Sequence, residues 1–351
     1  MSELGSQVLV VSGGTPARSE PLLALLADRR LPVRYPFRHR RTHGGSGPRR
    51  YGAGSRLRRR SSRCGSAIDA VKAIAALLSN PGDPFNYLEI ISRGRPLASP
   101  AAPLIAIPST AGTGAEVTRN AVLTASEQGV KVSLRHRSML PRIALVDPVL
   151  TYTAPPEITA GTGLDALTQC LEPFVSHLAP SLTASVAKGC GVRHAPYAAT
   201  SMRASDTEAH RDMALASLCG GLALSNAKLG AVYGLAAPIG GMFNAPHGAV
   251  CARLLPFVME TNVCALEERT PTAPALARYR EVAAILTGDA TAEVADGVAW
   301  IRALSDELAV PSLTDYDLTQ SRVAAIVNKA MLSNSIQGNP ITLIEAELTA
   351  R

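Results

Sequence analysis

Apolar residues in the first part of the chain come in short runs broken by glycine. Residues 8–12 (VLVVS) form an apolar, β-branched run, followed by Gly13-Gly14-Thr15 and then by leucines at 22, 23, 25 and 26. This succession predicts a strand, a glycine turn and a helix. From 34 to 63 the chain reads RYPFRHRRTHGGSGPRRYGAGSRLRRRSSR, with neither period 2 nor period 3.6, which predicts a disordered or basic tail-like segment. Helical periodicity returns after Gly65-Ser66, with Ile68, Val71, Ile74, Ala75 and Leu78 on one side. The run 103–108 (PLIAIP) predicts a buried strand leading into a loop of small residues, and 143–146 (IALV) predicts a shorter strand closed by Asp147-Pro148. Strands alternating with helices imply a parallel α/β sheet over residues 1–150. Beyond Thr151 amphipathic helices take over, among them 165–174, 213–228 and 294–308, and predict an all-α domain over 151–351. Within it, 189–205 breaks the helical pattern.

Composition narrows the class. A chain of 351 residues, 46% of them hydrophobic, has the length for two domains and the apolar content for packed cores. Its six cysteines stand far apart with no CxxC pair, which argues for reduced thiols and against a structural zinc site built on thiolates. The first residues lack a basic region followed by a long apolar run, and no stretch reaches about 18 uninterrupted apolar residues. A cytoplasmic protein without a membrane partner is therefore expected. The net charge of +7 is unevenly distributed: eleven arginines and no acidic residue fall within 34–63, and setting them against the total leaves the remainder at −4. That window invites comparison with a phosphate-contacting arm, but only Tyr35, Phe37 and Tyr51 are available in it for stacking. A nucleic-acid partner is not expected.

Glycine turns between a strand and a helix allow backbone amides to approach a phosphate. Gly65-Ser66 and 110–114 are two such turns and, downstream of the first strand and its Gly-Gly-Thr turn, they favour a dinucleotide site at the carboxyl edge of a parallel sheet. No GxGxxG fingerprint is present. The segments GSAIDAVKA (65–73), PSTAGTGAEVTRNAVLT (108–124), VDPVLTYTAPPEITAGTGLDALTQCLE (146–172), GMFNAPHGAVCARLLP (241–256) and NSIQGNPITL (334–343) together resemble the iron-containing alcohol dehydrogenases, including members like the maleylacetate reductases. The resemblance covers residues 1–33 and most of 64–351. It implies an α/β dinucleotide-binding domain followed by an all-α domain, as in the dehydroquinate synthase-like architecture. It also implies NAD(P)-dependent interconversion of an alcohol and an aldehyde or ketone, and a homodimer.

The resemblance assigns cofactor contacts to Ser12, Gly13, Gly14, Gly65, Ser66, Asp69, Ser109, Thr110 and Thr113, and places Lys131 near the nicotinamide ribose. Family members often carry a carboxylate after the first strand for the adenosine ribose, where this chain has Ser12-Gly13-Gly14-Thr15. Without that charge to repel a 2′-phosphate, NADP is at least as well accommodated as NAD. The family's metal positions fall on Asp165, Gln169, Tyr233 and His247. An i, i+4 pair on one helix converges on one ion, but an amide oxygen or a phenol is a weaker donor than imidazole to Fe²⁺ or Zn²⁺. The expected metal site is accordingly a weakened one. Asp165, His247 and Tyr233 are the expected catalytic residues, with Tyr233 polarising the carbonyl and donating a proton. Asp165 at a helix start would otherwise be an N-cap, and Asp69 would otherwise pair with Lys72.

Where the family has a GGGS turn, this chain has Arg63-Cys64-Gly65-Ser66, and bulky residues there crowd the approach to a phosphate. A reading-frame shift in a GC-rich gene accounts for 34–63, and a second for 189–205. The family's extra strand pair before Val8 and the continuation of its last helix past Arg351 point to an incomplete chain. An inactive homologue is the rival expectation.

Overall fold

The computed structural model describes residues 6–13, 16–34, 64–89, 94–125, 130–192 and 206–349. Gly14, the basic window from 35 onward and most of the 189–205 break lie outside the described residues. The chain divides into two compact units. One comprises residues 1–106, 119–128 and 132–144, and the other 107–118, 129–131 and 145–351.

In the first unit, β1 (Val8–Leu9), α1 (Glu20–Asp28) and β2 (Val33–Arg34) follow one another, and β1 pairs with β2 in parallel, Val8 opposite Val33. Helix α2 (Cys64–Ser79) comes next, then β3 (Ile105–Ala106), β4 (Asn120–Ala125), β5 (Val130–Arg135) and β6 (Ile143–Ala144). Strands β3 and β6 pair in parallel, Ile105 opposite Ile143, and β4 lies beside β5. The parallel α/β character expected from the alternation is present, but among the described residues it takes the form of three separate two-stranded pairs. Gly65 and Ser66 form part of the first turn of α2 instead of a turn ahead of it. The buried face of α2 is also rotated from the expected one. Ile68, Lys72, Ala73, Ala75 and Ala76 are buried, whereas Leu78 is 68% exposed. Lys72 is tolerated inside because its Nζ donates to the Asn120 carbonyl at 3.1 Å and it faces Asp69.

The second unit is helical: α3 (Pro156–Val175), α4 (Ser181–Val186), α5 (Thr207–Ala227), α6 (Ala231–Met242), α7 (His247–Arg269), α8 (Pro274–Thr287), α9 (Val294–Glu307), α10 (Gln320–Met331) and α11 (Glu345–Thr349). Its main core buries Leu164, Leu167 and Leu171 of α3, Val232 and Ile239 of α6, and Leu255, Met259 and Leu266 of α7. Two of the helix starts carry local side-chain caps. Asp206 accepts from the Ala209 amide at 2.9 Å ahead of α5, and Glu293 and Asp296 form a reciprocal capping box at α9. Helix α7 has the length and hydropathy of a membrane span, but 67% of its most apolar window is buried in the protein. Helix α3 begins nine residues before the expected 165, so Asp165 is a buried mid-helix residue and not an N-cap. The small residues of 159–163 had hidden the start of those two and a half turns.

Candidate functional site

Two pairs of glycines bring the site together. Gly161 of α3 faces Gly248 of α7 so closely that a Cβ on Gly248 would overlap the Gly161 carbonyl. With no side chain between them the two backbones touch, and Asp165, one turn along α3, comes level with His247, the first residue of α7. The loop 107–118 is drawn onto α5 in the same way. Gly114, at φ 56°, donates its amide to Ser217 Oγ at 3.2 Å and packs against Gly221, where a Cβ on Gly114 would lie 2.7 Å from Gly221 Cα.

The start of α6 is held by two buried side chains far away in sequence. Glu172 Oε2 accepts from the Gly230 amide at 2.9 Å and its Oε1 from Val232 at 2.7 Å, while Asn339 Oδ1 accepts from Ala231 at 3.1 Å. These acceptors satisfy amides that a helix start leaves open and set the position of Tyr233 in the first turn. Burial pushes the Glu172 carboxyl up to about 7, against the lowering effect of those amides. Neither residue was singled out from the sequence. The NSIQGNPITL ending that contains Asn339 was recognisable only as a family segment.

Asp165, Gln169, Tyr233 and His247, far apart in sequence, converge. Gln169 Nε2 donates to the Thr113 carbonyl at 2.7 Å, which leaves its Oε1 facing Tyr233 Oη at 2.9 Å. Tyr233 Oη donates to Asp165 Oδ1, and burial followed by the Asp165 charge pushes the phenol well above its ordinary value. It therefore keeps its proton, and that one proton is directed at Asp165. His247 Nε2 lies 3.7 Å from Asp165 Oδ1, and its ring meets Tyr233 edge-on at 4.8 Å. The His247 side chain is 25% exposed against 4% for Asp165, so it is the member of this pair open to solvent.

A fifth residue joins them that the sequence reading had left among unremarkable cysteines. Cys251 Sγ is 3.7 Å from His247 Nε2, and a ligand atom each from Asp165, His247 and Cys251 fall within 4.8 Å of one another. The signal was available: His247 and Cys251 are i and i+4 on one helix, the spacing that aligns two side chains on a face. Burial and the nearby Asp165 and Glu172 charges push the thiol well up, and Lys131 opposes them. The Lys131 ammonium reaches α6, where a Cβ on Gly240 would be 2.8 Å from it.

The other expected cofactor residues are dispersed. Ser109, Thr110 and Thr113 lie half-buried in the loop 107–118, Thr113 bonded to Gln169 as above. Ser12 and Gly13 follow β1, Ser12 half-buried and Gly13 exposed. Asp69 is half-buried, facing Lys72 and accepting from the Val122 amide; burial raises its carboxyl to about 7 against the pull of Lys72.

An iron site of one carboxylate and three imidazoles does not fit these residues. Gln169 has both ends of its amide engaged, the Tyr233 phenol is protonated, and only Asp165 and His247 of the four matching positions are strong donors.

Comparison with known proteins agrees with this order of motifs. Residues 64–148 match the family described as iron-containing alcohol dehydrogenase, and residues 159–350 match the C-terminal part of the Fe-containing alcohol dehydrogenase family. Among curated proteins, 1,3-propanediol dehydrogenase of Klebsiella pneumoniae is 32% identical over 297 residues, covering 82% of this chain and 72% of that protein. Alcohol dehydrogenase 4 of Saccharomyces cerevisiae is 38% identical over 200 residues, 57% of this chain and 51% of that protein, so the chain spans about half the length of the yeast relative. Among solved structures, a 1,3-propanediol oxidoreductase superposes with a TM-score of 0.82 at 26% identity, over 99% of this chain and 91% of the other. From its motif order, its two matched regions and its fold, the chain belongs to the iron-containing alcohol dehydrogenase family.

Proposed function

We propose that the protein interconverts an alcohol and an aldehyde or ketone by transferring hydride to or from C4 of a nicotinamide cofactor. The observation that carries this reading is the convergence of Asp165, Tyr233 and His247, with Gln169 beside them, at the family's metal positions. As a carbonyl carbon accepts hydride its oxygen gathers negative charge and needs a proton. His247 is open enough to meet that oxygen, and Asp165 beside it stabilises the protonated ring. Tyr233, with its proton on Asp165, holds the carboxylate and does not itself polarise the substrate. This reassigns it from the proton-donor role expected from the sequence.

Residues 1–150 serve the cofactor and 151–351 the substrate in this reading. The small-residue loop contributes Ser109, Thr110 and Thr113, and Gly13, Gly14, Gly65, Ser66 and Asp69 contribute from the first 150 residues. Lys131 lies close enough to Cys251 to affect its thiol, which puts its charge beside the reacting groups. With Ser12 where a carboxylate would favour NAD, NADP is accepted as well as NAD. A cytoplasmic homodimer acting on a small-molecule alcohol or carbonyl, with neither nucleic acid nor membrane as partner, completes the proposal.

The test is nicotinamide absorbance during reduction of short aldehydes and ketones by the purified chain. Asp165→Asn and His247→Ala should each lower kcat at least about a hundredfold with circular dichroism unchanged. Full activity in Asp165→Asn would overturn this assignment of the site, and no cofactor protection against unfolding together with no turnover of any carbonyl would favour an inactive homologue.

A further inference from the structure

We infer that Asp165, His247 and Cys251 form a three-donor oxygen, nitrogen and sulfur site for a Zn²⁺-class cation, in place of the imidazole-rich iron site that the remaining positions cannot build. It shares Asp165 and His247 with the proposed active site and does not depend on turnover; the proton-donor role of His247 in that proposal belongs to the cation-free protein.

The geometry matches the ion. Tetrahedral zinc binds histidine nitrogen or carboxylate oxygen at about 2.0–2.2 Å and thiolate sulfur at about 2.3 Å, so two of its ligand atoms stand roughly 3.3–3.7 Å apart. The corresponding separations are 3.7 Å from His247 Nε2 to Asp165 Oδ1 and 3.7 Å from His247 Nε2 to Cys251 Sγ, and all three ligand atoms lie within 4.8 Å of one another. Two donors come from successive turns of α7 and the third from α3, which the Gly161–Gly248 contact holds alongside. The supporting bonds are also in place. Tyr233 donates to the Asp165 carboxylate and Gln169 anchors Tyr233 to the Thr113 carbonyl, the outer arrangement that orients a ligating carboxylate.

The donor chemistry sets the selectivity. A thiolate beside one imidazole and one carboxylate suits Zn²⁺ or Co²⁺ better than Fe²⁺, while Mg²⁺ prefers an all-oxygen shell. On binding, the Cys251 thiol loses its proton to solvent as the sulfur–metal bond forms, and His247 binds as the neutral ring. Cation affinity therefore rises with pH.

The experiment uses the full chain, chelator-stripped, with Cys64, Cys190 and Cys264 replaced by serine, which leaves Cys251 and the buried Cys170 and Cys219 as its thiols. Co²⁺ titration should reach one equivalent and produce a near-ultraviolet sulfur-to-cobalt charge-transfer band that Zn²⁺ abolishes and Mg²⁺ leaves intact. Cys251→Ser should remove the band and weaken Co²⁺ binding at least about tenfold. Binding without the band, an unchanged Cys251→Ser variant, or no stoichiometric binding would each overturn the inference. Should the serine variants fail to fold, X-ray absorption of the zinc-loaded natural chain decides: one sulfur at about 2.3 Å supports the site and none overturns it. Because the band is read without substrate, a protein that binds Co²⁺ this way yet reduces no carbonyl refutes only the dehydrogenase reading.

Discussion

At the scale of single residues, the site depends on where one proton sits. The phenol of Tyr233 gives its one proton to Asp165 Oδ1, with Gln169 Oε1 2.9 Å away on its other side. Tyr233→Phe keeps the ring and its edge contact with His247 but leaves the Asp165 oxygen without that donor. The expected cost is about 1–3 kcal/mol of stability, read from the urea midpoint, together with a lower kcat. A variant as stable as the parent would show that the phenol is not engaged. The types of these residues were legible in the sequence, and so was the fact that two of the four metal positions had lost imidazole. Their engagement was not. Spacing gives no indication that Gln169 would turn its amide nitrogen towards Thr113, or that Asp165 would be held level with the His247–Cys251 pair, because both depend on the distance between α3 and its neighbours.

At the scale of elements, that distance is set by glycine. A side chain on Gly248 would drive α7 away from the Gly161 carbonyl, and one on Gly114 would strike Ser217 and Gly221 from a left-handed backbone. Gly248→Ala and Gly114→Ala should each destabilise the fold by about 2–4 kcal/mol. Gly248→Ala should also lower kcat by at least about a hundredfold in whatever fraction stays folded. Differential scanning calorimetry and steady-state kinetics measure the two effects; a Gly248→Ala protein with parental melting and turnover would show that the helices are not in contact there. The helices themselves were readable from period 3.6, though α3 began earlier than expected because its first turns, rich in small residues, carry little hydrophobic contrast. The strands were readable as apolar runs. Their assembly into separate pairs among the described residues was not, since pairing is set by segments distant in sequence.

At the scale of the whole molecule, buried carboxyls shape the response to pH. Glu172 and Asp69 are both held up to about 7 by burial. Each stays protonated in the native protein while its counterpart in the unfolded chain ionises above about 4. Stability should therefore fall as pH rises from about 4.5 to about 7 and then level off, Glu172 contributing at most about 3 kcal/mol. Urea midpoints at pH 5 and 7.5 measure this. Glu172→Gln should flatten the slope, and a rise in stability over the interval would contradict it. Glu172 is also the group through which the far end of α3 reaches the first turn of α6, with Asn339 from the last part of the chain beside it. A truncation ahead of residue 339 would thus remove an acceptor from the Ala231 amide, only two residues from Tyr233. The final stretch of the polypeptide acts as a clasp for the reacting groups, and losing it would loosen them without removing any residue of the site.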